Sequence, residues 1–493
     1  MKLYDRFSEL IYYLYSEDKW FSLMDLSQKT GYSRSTLSRD IVFLETKLPE
    51  GWMIEKSDSK GIKLTKPENG ALKTLLSHFN EQNTYYKTLK LLFYNDGVTI
   101  NDITTIIHLS RSTAYRHIKD IKQMLQNTGV TLSSSPYKLI GDEIKIRGLM
   151  IEYLEIMGNA HSNGNNKSFN IEEFKTKIIE LTNSFSIFLH TGAYQRLALT
   201  LQISNIRIKQ GYNMNFDKII SNDIYKTKYF EMGKLLTYKH LAKCSNRNNQ
   251  LQEIVYFAIC IMSEEKPPNR SVEINYIRTK WMKEKDQLFD FLKDISSHFK
   301  FEFSEDDTLI YQLYQIAKRI SIDSQLGAAI KGNSLINFLP YFESNPLFKM
   351  IEDVISKLKL SPSITIGRLE MLEIFLLLNA AILRKLMHTK IKVALICQSY
   401  SEQDYIKELL NFNFKKQLEI TNLDYMGLEH LITNNEFDLI INTDINSIGE
   451  FQIPLIQLSS CPSPSELQEI EHFIKTFVLE KLGVENEMIY PYQ

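Results

Sequence analysis

Apolar residues recur at helical spacing from the first turn of the chain. In LYDRFSELIYYLYSED, Leu3, Phe7, Leu10, Ile11 and Leu14 share one face, which predicts an amphipathic helix with one buried side. WFSLMDLSQKTGYSRSTLSRDIVFLETKL then predicts two shorter helices. Ser22 and Ser33 stand where N-caps are needed, and Gly31 where the chain must turn left-handed between them. Leu23, Leu26 and Thr30 face inward on the first helix, and Leu37, Ile41 and Leu44, at i, i+4, i+7, on the second. GWMIEKSDSKGIKLTKP follows as two short strands about a polar turn, a wing from which Lys56, Lys60, Lys63 and Lys66 project.

The plan is written twice. SRSTLSRDI begins at Ser33 and SRSTAYRHI at Ser110, an offset of 77, and at that offset Asp25 faces Asp102, Leu26 faces Ile103, Ile41 faces Ile118 and Leu44 faces Ile121. ALKTLLSHF and YYKTLKLLFYNDG predict helices ahead of the second pair, Thr99 and Ser110 its caps, and VTLSSSPYKLIGDEIKIRG a shorter wing. With Leu37, Ile41, Leu44 and Ala114, Ile118, Ile121 turned inward, the outward residues are Arg34, Ser35, Thr36, Ser38 and Arg39 in one copy. In the other they are Arg111, Ser112, Thr113, Tyr115, Arg116 and His117. This is the layout of a helix-turn-helix, whose second helix offers its first two turns to base edges in the major groove. Arginines there suit guanine edges, serines and threonines suit phosphates or bases, and Lys60 and Lys63 of the wing suit phosphates. His117 reads as a surface or phosphate-facing residue rather than a metal ligand. A pair of helical bundles with solvated arginines is the plain alternative. Recurrence of cap, turn, inward triplet and wing favours DNA reading.

A chain of 493 residues exceeds what one core organises, so several domains are expected. The net charge of −1 points to no partner class, but residues 71–148 hold 10 Lys/Arg against 6 Asp/Glu, concentrating positive charge on the second copy. Cys244, Cys260, Cys397 and Cys461 lie far apart without paired spacing, which argues against a zinc site or disulfide framework and for a reducing cytoplasm. No leader pattern opens the sequence, and apolar runs such as EIFLLLNAAIL are too short for a bilayer. No nucleophile–base constellation or glycine-rich phosphate loop is present, so neither enzyme activity, cofactor nor metal is expected.

Residues from about 149 to 388 are helical in pattern, broken by GNAHSNGNNKS (158–168) and EEKPPNRS (264–271), the second read as a domain boundary. Two segments within them are alike: YQRLALTLQISNIRIKQG from Tyr194 and DTLIYQLYQIAKRISIDSQLG from Asp307. Arg207 and Arg319 stand twelve residues beyond Gln195 and Asp307, and an acidic-led apolar helix follows each segment, EIVYFAICIM from Glu253 and EIFLLLNAAIL from Glu373. From Lys390 the short β-branched runs IKVALIC, LEITNLD, FDLIINTD and FQIPLIQLSS alternate with YSEQDYIKELLNFNF, YMGLEHLITNNE and PSELQEIEHFIKTFVLEKLG. That alternation predicts a small parallel α/β domain.

In domain order and in the helix-turn-helix blocks the chain resembles the Mga/AtxA-type virulence regulators of Gram-positive bacteria. The resemblance implies a multidomain, mainly α protein: winged helix-turn-helix domains over 1–68 and 69–148, all-α PRD-like domains over 149–266 and 267–388, and an α/β EIIB-like domain over 389–493. It further implies a cytoplasmic activator of virulence or capsule-type genes that binds double-stranded promoter DNA and forms a homodimer through its PRD-like and EIIB-like domains. PRDs are the domains that the sugar phosphotransferase system phosphorylates on histidine. At the positions matching those histidines this chain has Gln195, Cys260, Asp307 and Ala380, with His190 and His388 nearby. If that register holds, no phosphohistidine forms at those four positions, and control by expression level, oligomer state or another ligand is expected; a phosphocarrier stays a possible partner through His190 or His388 if the register shifts by a few residues. Cys397 falls near the phosphate-carrying cysteine of IIB domains, but CQSYSEQD has no glycine to cradle phosphate. Three rivals remain: a PRD-type RNA-binding antiterminator, which begins with a small β-rich domain where this chain is helical; a phosphotransferase-pathway component using Cys397; and a scaffold whose helix-turn-helix units bind protein.

Overall fold

A computed structural model describes residues 6–126, 128–156, 171–216, 222–241, 246–264, 284–326, 342–358, 366–414, 417–423, 436–443 and 453–489. The polar stretch 158–168, the loop beyond Glu264 and the helical pattern over 425–435 lie outside these residues, as do Leu3 and Cys244.

The first head is built from α1 (Arg6–Ser16), α2 (Leu23–Thr30), α3 (Arg34–Glu45) and an antiparallel hairpin of β1 (Met53–Ser57) and β2 (Gly61–Thr65). Leu10, Ile11 and Leu14 of α1 are buried with Leu26, Leu37, Ile41 and Leu44, while Leu23 and Thr30 are half-buried. Ser22 and Asp25 form a reciprocal capping box, Gly31 closes α2 at φ +74°, and the Ser33 side chain accepts from the Thr36 amide to start α3. The hairpin is stitched to the residue ahead of α2: Phe21 and Ile62 exchange backbone hydrogen bonds of 2.8 and 2.9 Å. Gly61 makes this approach feasible, since a Cβ there would lie 2.2 Å from the Phe21 carbonyl oxygen.

The second head repeats every part. Behind α4 (Leu72–Gln82) and α5 (Thr84–Tyr94), the pair is α6 (Ile100–Ile107) and α7 (Arg111–Met124), and the hairpin is β3 (Val130–Leu132) with β4 (Leu139–Gly141). Thr99 and Asp102 form the capping box and Ser110 caps α7. His108, at the place of Gly31, takes the same left-handed backbone at φ +59°. Val98 and Tyr137 exchange the equivalent backbone bonds, 3.0 and 2.7 Å.

Helix α8 (Glu143–Ile156) crosses residue 148, where the sequence reading ends the second head, and packs on both sides. Its Ile146, Leu149, Met150 and Leu154 enter the core of the second head together with Leu199 and Ile203 of α10 (Thr191–Lys209). Its Ile144 enters a helical core formed with α9 (Ile171–Ser184), α10, α11 (Lys228–His240) and α12 (Arg247–Ser263). At Gly233 a Cβ would meet the Ile254 carbonyl oxygen at 2.8 Å, so α11 and α12 touch backbone to backbone.

The chain divides into two compact units, residues 1–269 with 315–340 and 360–369 forming one and the remainder the other. The second contains α13 (Glu284–Ser296), α15 (Pro346–Lys357) and, from Glu370 on, α16 (Arg368–His388); α14 (Asp307–Leu326) precedes α15 in the chain. It also contains a four-stranded parallel sheet of β5 (Ile391–Ile396), β6 (Leu418–Asn422), β7 (Leu439–Asn442) and β8 (Leu455–Gln457), ordered β6-β5-β7-β8. Helix α17 (Tyr400–Phe414) links β5 to β6, and α18 (Pro464–Leu482) and α19 (Asn486–Ile489) follow β8. Asn345 and Asn379 donate to the Glu487 and Ile489 carbonyls at 2.8 and 3.0 Å, tying the chain's last helix to this unit's helical part.

Candidate nucleic-acid interface

The capped ends of α3 and α7 present matching surfaces. Arg34, Ser35, Ser38 and Arg39 are exposed on α3, as are Arg111, Ser112, Tyr115 and Arg116 on α7; Thr36 and Thr113 are half-buried because each shares a hydroxyl contact with its N-cap serine. The Ser33 and Ser110 side chains also contact Ser35 and Ser112, at 3.1 and 2.9 Å, so the first turn of each helix carries an ordered row of hydroxyls. Arg39 donates back to the Ser35 carbonyl at 3.3 Å. Among the described residues Arg34, Arg111 and Arg116 make no ion pair; all three are exposed, and Arg34 and Arg111 are the first residues of α3 and α7. Cations at that end oppose the helix dipole, a local cost that a polyanion placed between them would remove.

The first wing is less free than its lysines predict. Lys60 is exposed with its ammonium 5.9 Å from the Trp20 ring, but Lys63 is half-buried and bonded to Asp18 at 2.8 Å, and Lys56 is paired with Glu45. The Lys63–Asp18 hydrogen bond raises the lysine and lowers the carboxyl from their ordinary values.

His117 corrects the outward reading. It is 6% exposed, bonded through Nδ1 to Thr88 Oγ1 at 3.2 Å and set edge-on to Tyr85. Thr88 gives its one hydroxyl proton to the Thr84 carbonyl at 2.8 Å, so the histidine Nδ1 must be the donor. The reason is phase: 114, 117, 118 and 121 form one i, i+3, i+4, i+7 stripe, and that stripe is the core face. The equivalent residue of the first head, Asp40, is buried too and pairs with Arg6, whose Nη2 donates to Oδ1 at 2.7 Å. The sequence reading passed over this pair, although 37, 40, 41 and 44 carry the same stripe.

Residues 6–60 match the M protein trans-acting positive regulator (MGA) HTH domain, and residues 68–154 match the Mga helix-turn-helix domain. The chain is 21% identical over 476 residues to the capsule synthesis positive regulator AcpB of Bacillus anthracis, covering 93% of this chain and 96% of the relative. It is 23% identical to the capsule synthesis positive regulator AcpA of the same organism over 260 residues, 51% of this chain and 52% of the relative. It is also 23% identical to the anthrax toxin expression trans-acting positive regulator of Bacillus anthracis over 232 residues, 45% and 47%. Both heads match Mga-type helix-turn-helix domains, and the chain is similar to the Mga/AtxA-type regulators over most of its length. The matched head regions each contain a capped, arginine-bearing helix, and the second match ends inside α8.

The positions compared with family histidines are spread through the helical regions. Gln195 lies in the first turns of α10, its Nε2 buried without a hydrogen-bond partner, and His190 is the exposed residue just before that helix. Cys260 is buried in α12, and burial pushes its thiol far up. Asp307 is the exposed first residue of α14, and Ala380 is half-buried in α16. Cys397 follows β5 directly and is half-buried; burial, with the Glu402 carboxylate adding to it, raises its thiol. Burial works to raise Glu402 as well, but the neighbouring Ser460 and Thr443 hydroxyls and the Gln398 and Ser399 amides outweigh it and hold the carboxyl below its ordinary value. The Gln398 amide donates to Glu402 at 3.0 Å, so a carboxylate already occupies the amide next to this cysteine. Among the described residues there is no group of three His, Cys, Asp or Glu that would hold a metal, and no helix long and apolar enough to cross a membrane.

Proposed function

We propose that this chain is a DNA-binding transcription activator that reads double-stranded promoter DNA with α3 and α7 and touches phosphates with its wings. The observation that carries this reading is the duplicated row of exposed arginines and ordered hydroxyls at two capped helix starts, 77 residues apart. Arg34, Arg39, Arg111 and Arg116, with Ser35, Ser38, Ser112 and Tyr115, are the reading residues, Lys60 is a phosphate contact, and His117 supports α7 from within. The relatives named positive regulators of capsule synthesis and of toxin expression support activation, and virulence or capsule-type genes as targets. The helical regions act as PRD-like domains without a phosphorylatable histidine at the four matching positions, and the C-terminal sheet as an EIIB-like domain whose cysteine carries no phosphate. Pairing of two chains through these parts would bring four heads to one promoter and multiply modest individual affinities. Such a protein works in the cytoplasm.

The test is genome-wide DNA crosslinking of the wild-type protein beside the double variant Arg39→Ala/Arg116→Ala. Discrete promoter occupancy that disappears in the variant is expected. Equal occupancy would mean these helices are not the readers.

A further inference from the structure

We infer that the second wing is positioned by the buried centre of the helical region, through one continuous chain of charged and aromatic groups. It starts at Glu253, fully buried in α12, which accepts both terminal nitrogens of Arg147 at 2.7 and 2.8 Å and the Met214 amide at 2.9 Å. Arg147, also fully buried, passes from there along α8 and donates from Nε to Glu143 at 2.9 Å. Glu143 in turn accepts Arg207 of α10 at 3.0 and 2.8 Å. The Arg207 guanidinium lies 4.0 Å from the centre of the Tyr212 ring, and the Tyr212 hydroxyl donates to Asp96 at 3.0 Å. Asp96 accepts Lys138 at 2.9 Å, and Lys138 is the residue that leads into β4 of the second wing.

Three carboxylates alternate with three cations along this path, so every buried charge has an opposite neighbour on each available side. Removing two charges from water is expensive, so such pairs add little net stability; in this inference their role is to fix one arrangement. Leucine and isoleucine would hold α8 against α12 without committing to a rotation about the helix axis. Bidentate guanidinium–carboxylate pairs fix that rotation. Since α8 also contributes to the core of the second head, its orientation relative to α12 is shared with the wing. The first head has no equivalent connection among the described residues: Lys63 of its wing ends on Asp18 of the same head.

The functional weight of this coupling rests on the second head reading DNA; the coupling itself is measurable without DNA. The experiment is amide hydrogen exchange of the full chain, comparing residues 130–141 with the first wing, 53–65, as internal reference. Glu253→Gln cuts the path at its buried origin and Tyr212→Phe removes only the hydroxyl near its exposed end. Both variants are expected to speed exchange over 130–141 by about tenfold while leaving 53–65 unchanged. Unchanged exchange over 130–141 in Tyr212→Phe, or equal acceleration of both wings in that variant, overturns the inference. If Glu253→Gln unfolds the chain globally, Tyr212→Phe alone decides. Loss of promoter occupancy in Arg39→Ala/Arg116→Ala bears on DNA reading and leaves this result untouched.

Discussion

Asp40 and His117 occupy the same place in α3 and α7, and each is buried against a helix that precedes its pair, Asp40 on Arg6 of α1 and His117 on Thr88 of α5. One site of the duplicated fold is thus filled by a charged pair and by a neutral one. In both heads a polar bond, beside apolar packing, joins the second helix of the pair to its support.

The two solutions respond differently to acid. Burial first, and Arg116 second, hold His117 below its ordinary value of 6.5, with Asp120 opposing. The folded second head therefore keeps this histidine neutral, while the unfolded chain takes up a proton near 6.5. Its contribution is complete above that pH and is lost as pH falls through the depressed folded value. Protection of residues 111–124 against hydrogen exchange should decline between pH 7 and pH 5, and His117→Gln should flatten that decline at a cost of about 1–2 kcal/mol at neutral pH. His240, lowered mainly by burial, adds the same sign in the helical region but reports on α11.

Asp40→Ala should loosen α3. The carboxylate is buried whereas the Arg6 side chain is 39% exposed, so the arginine can return to water and the cost stays near that of one charged hydrogen bond, about 1–3 kcal/mol. Exchange over 34–45 is the readout, with 111–124 unaffected.

Asp18→Asn should strengthen duplex binding. Lys63 spends its charge on Asp18, and removing that carboxylate's charge frees the ammonium for phosphate. Titrations against salt should show a slope steeper by about one unit, and Lys63→Ala in the wild-type background should weaken binding less than Lys60→Ala.

Gly233→Ala should separate α11 from α12. The new methyl meets backbone at 2.8 and 3.2 Å, which no side-chain rotation relieves, so a loss of about 1–3 kcal/mol is expected in denaturant titration. Cysteine alkylation supplies an independent check on burial: among the described residues Cys461 should react first, Cys397 more slowly, and Cys260 only on unfolding.

The helix caps and the turn at Gly31 were legible because they are local: a serine or threonine followed three residues on by aspartate, or a glycine ahead of the next cap, needs no distant partner. The outward arginines followed from the inward triplets. His117 shares the helical stripe of Ala114, Ile118 and Ile121, so phase puts it inside although the apolar triplet alone left it outward. The Arg147–Glu253 pair, 106 residues apart, left only a faint trace, a glutamate leading the apolar run EIVYFAICIM, and the identity of its partner depends on how α8, α10 and α12 pack. At Lys63 the sequence showed a wing lysine but not the aspartate that engages it.

The paired backbone bonds between Phe21 and Ile62, and between Val98 and Tyr137, make each hairpin an extension of the segment that leads into its helix pair. On the proposed reading of DNA by α3 and α7, a base change that lifts either helix from the groove would also withdraw its hairpin from the sugar–phosphate rail. Discrimination between sites would then be sharper than the number of base-touching side chains alone would give.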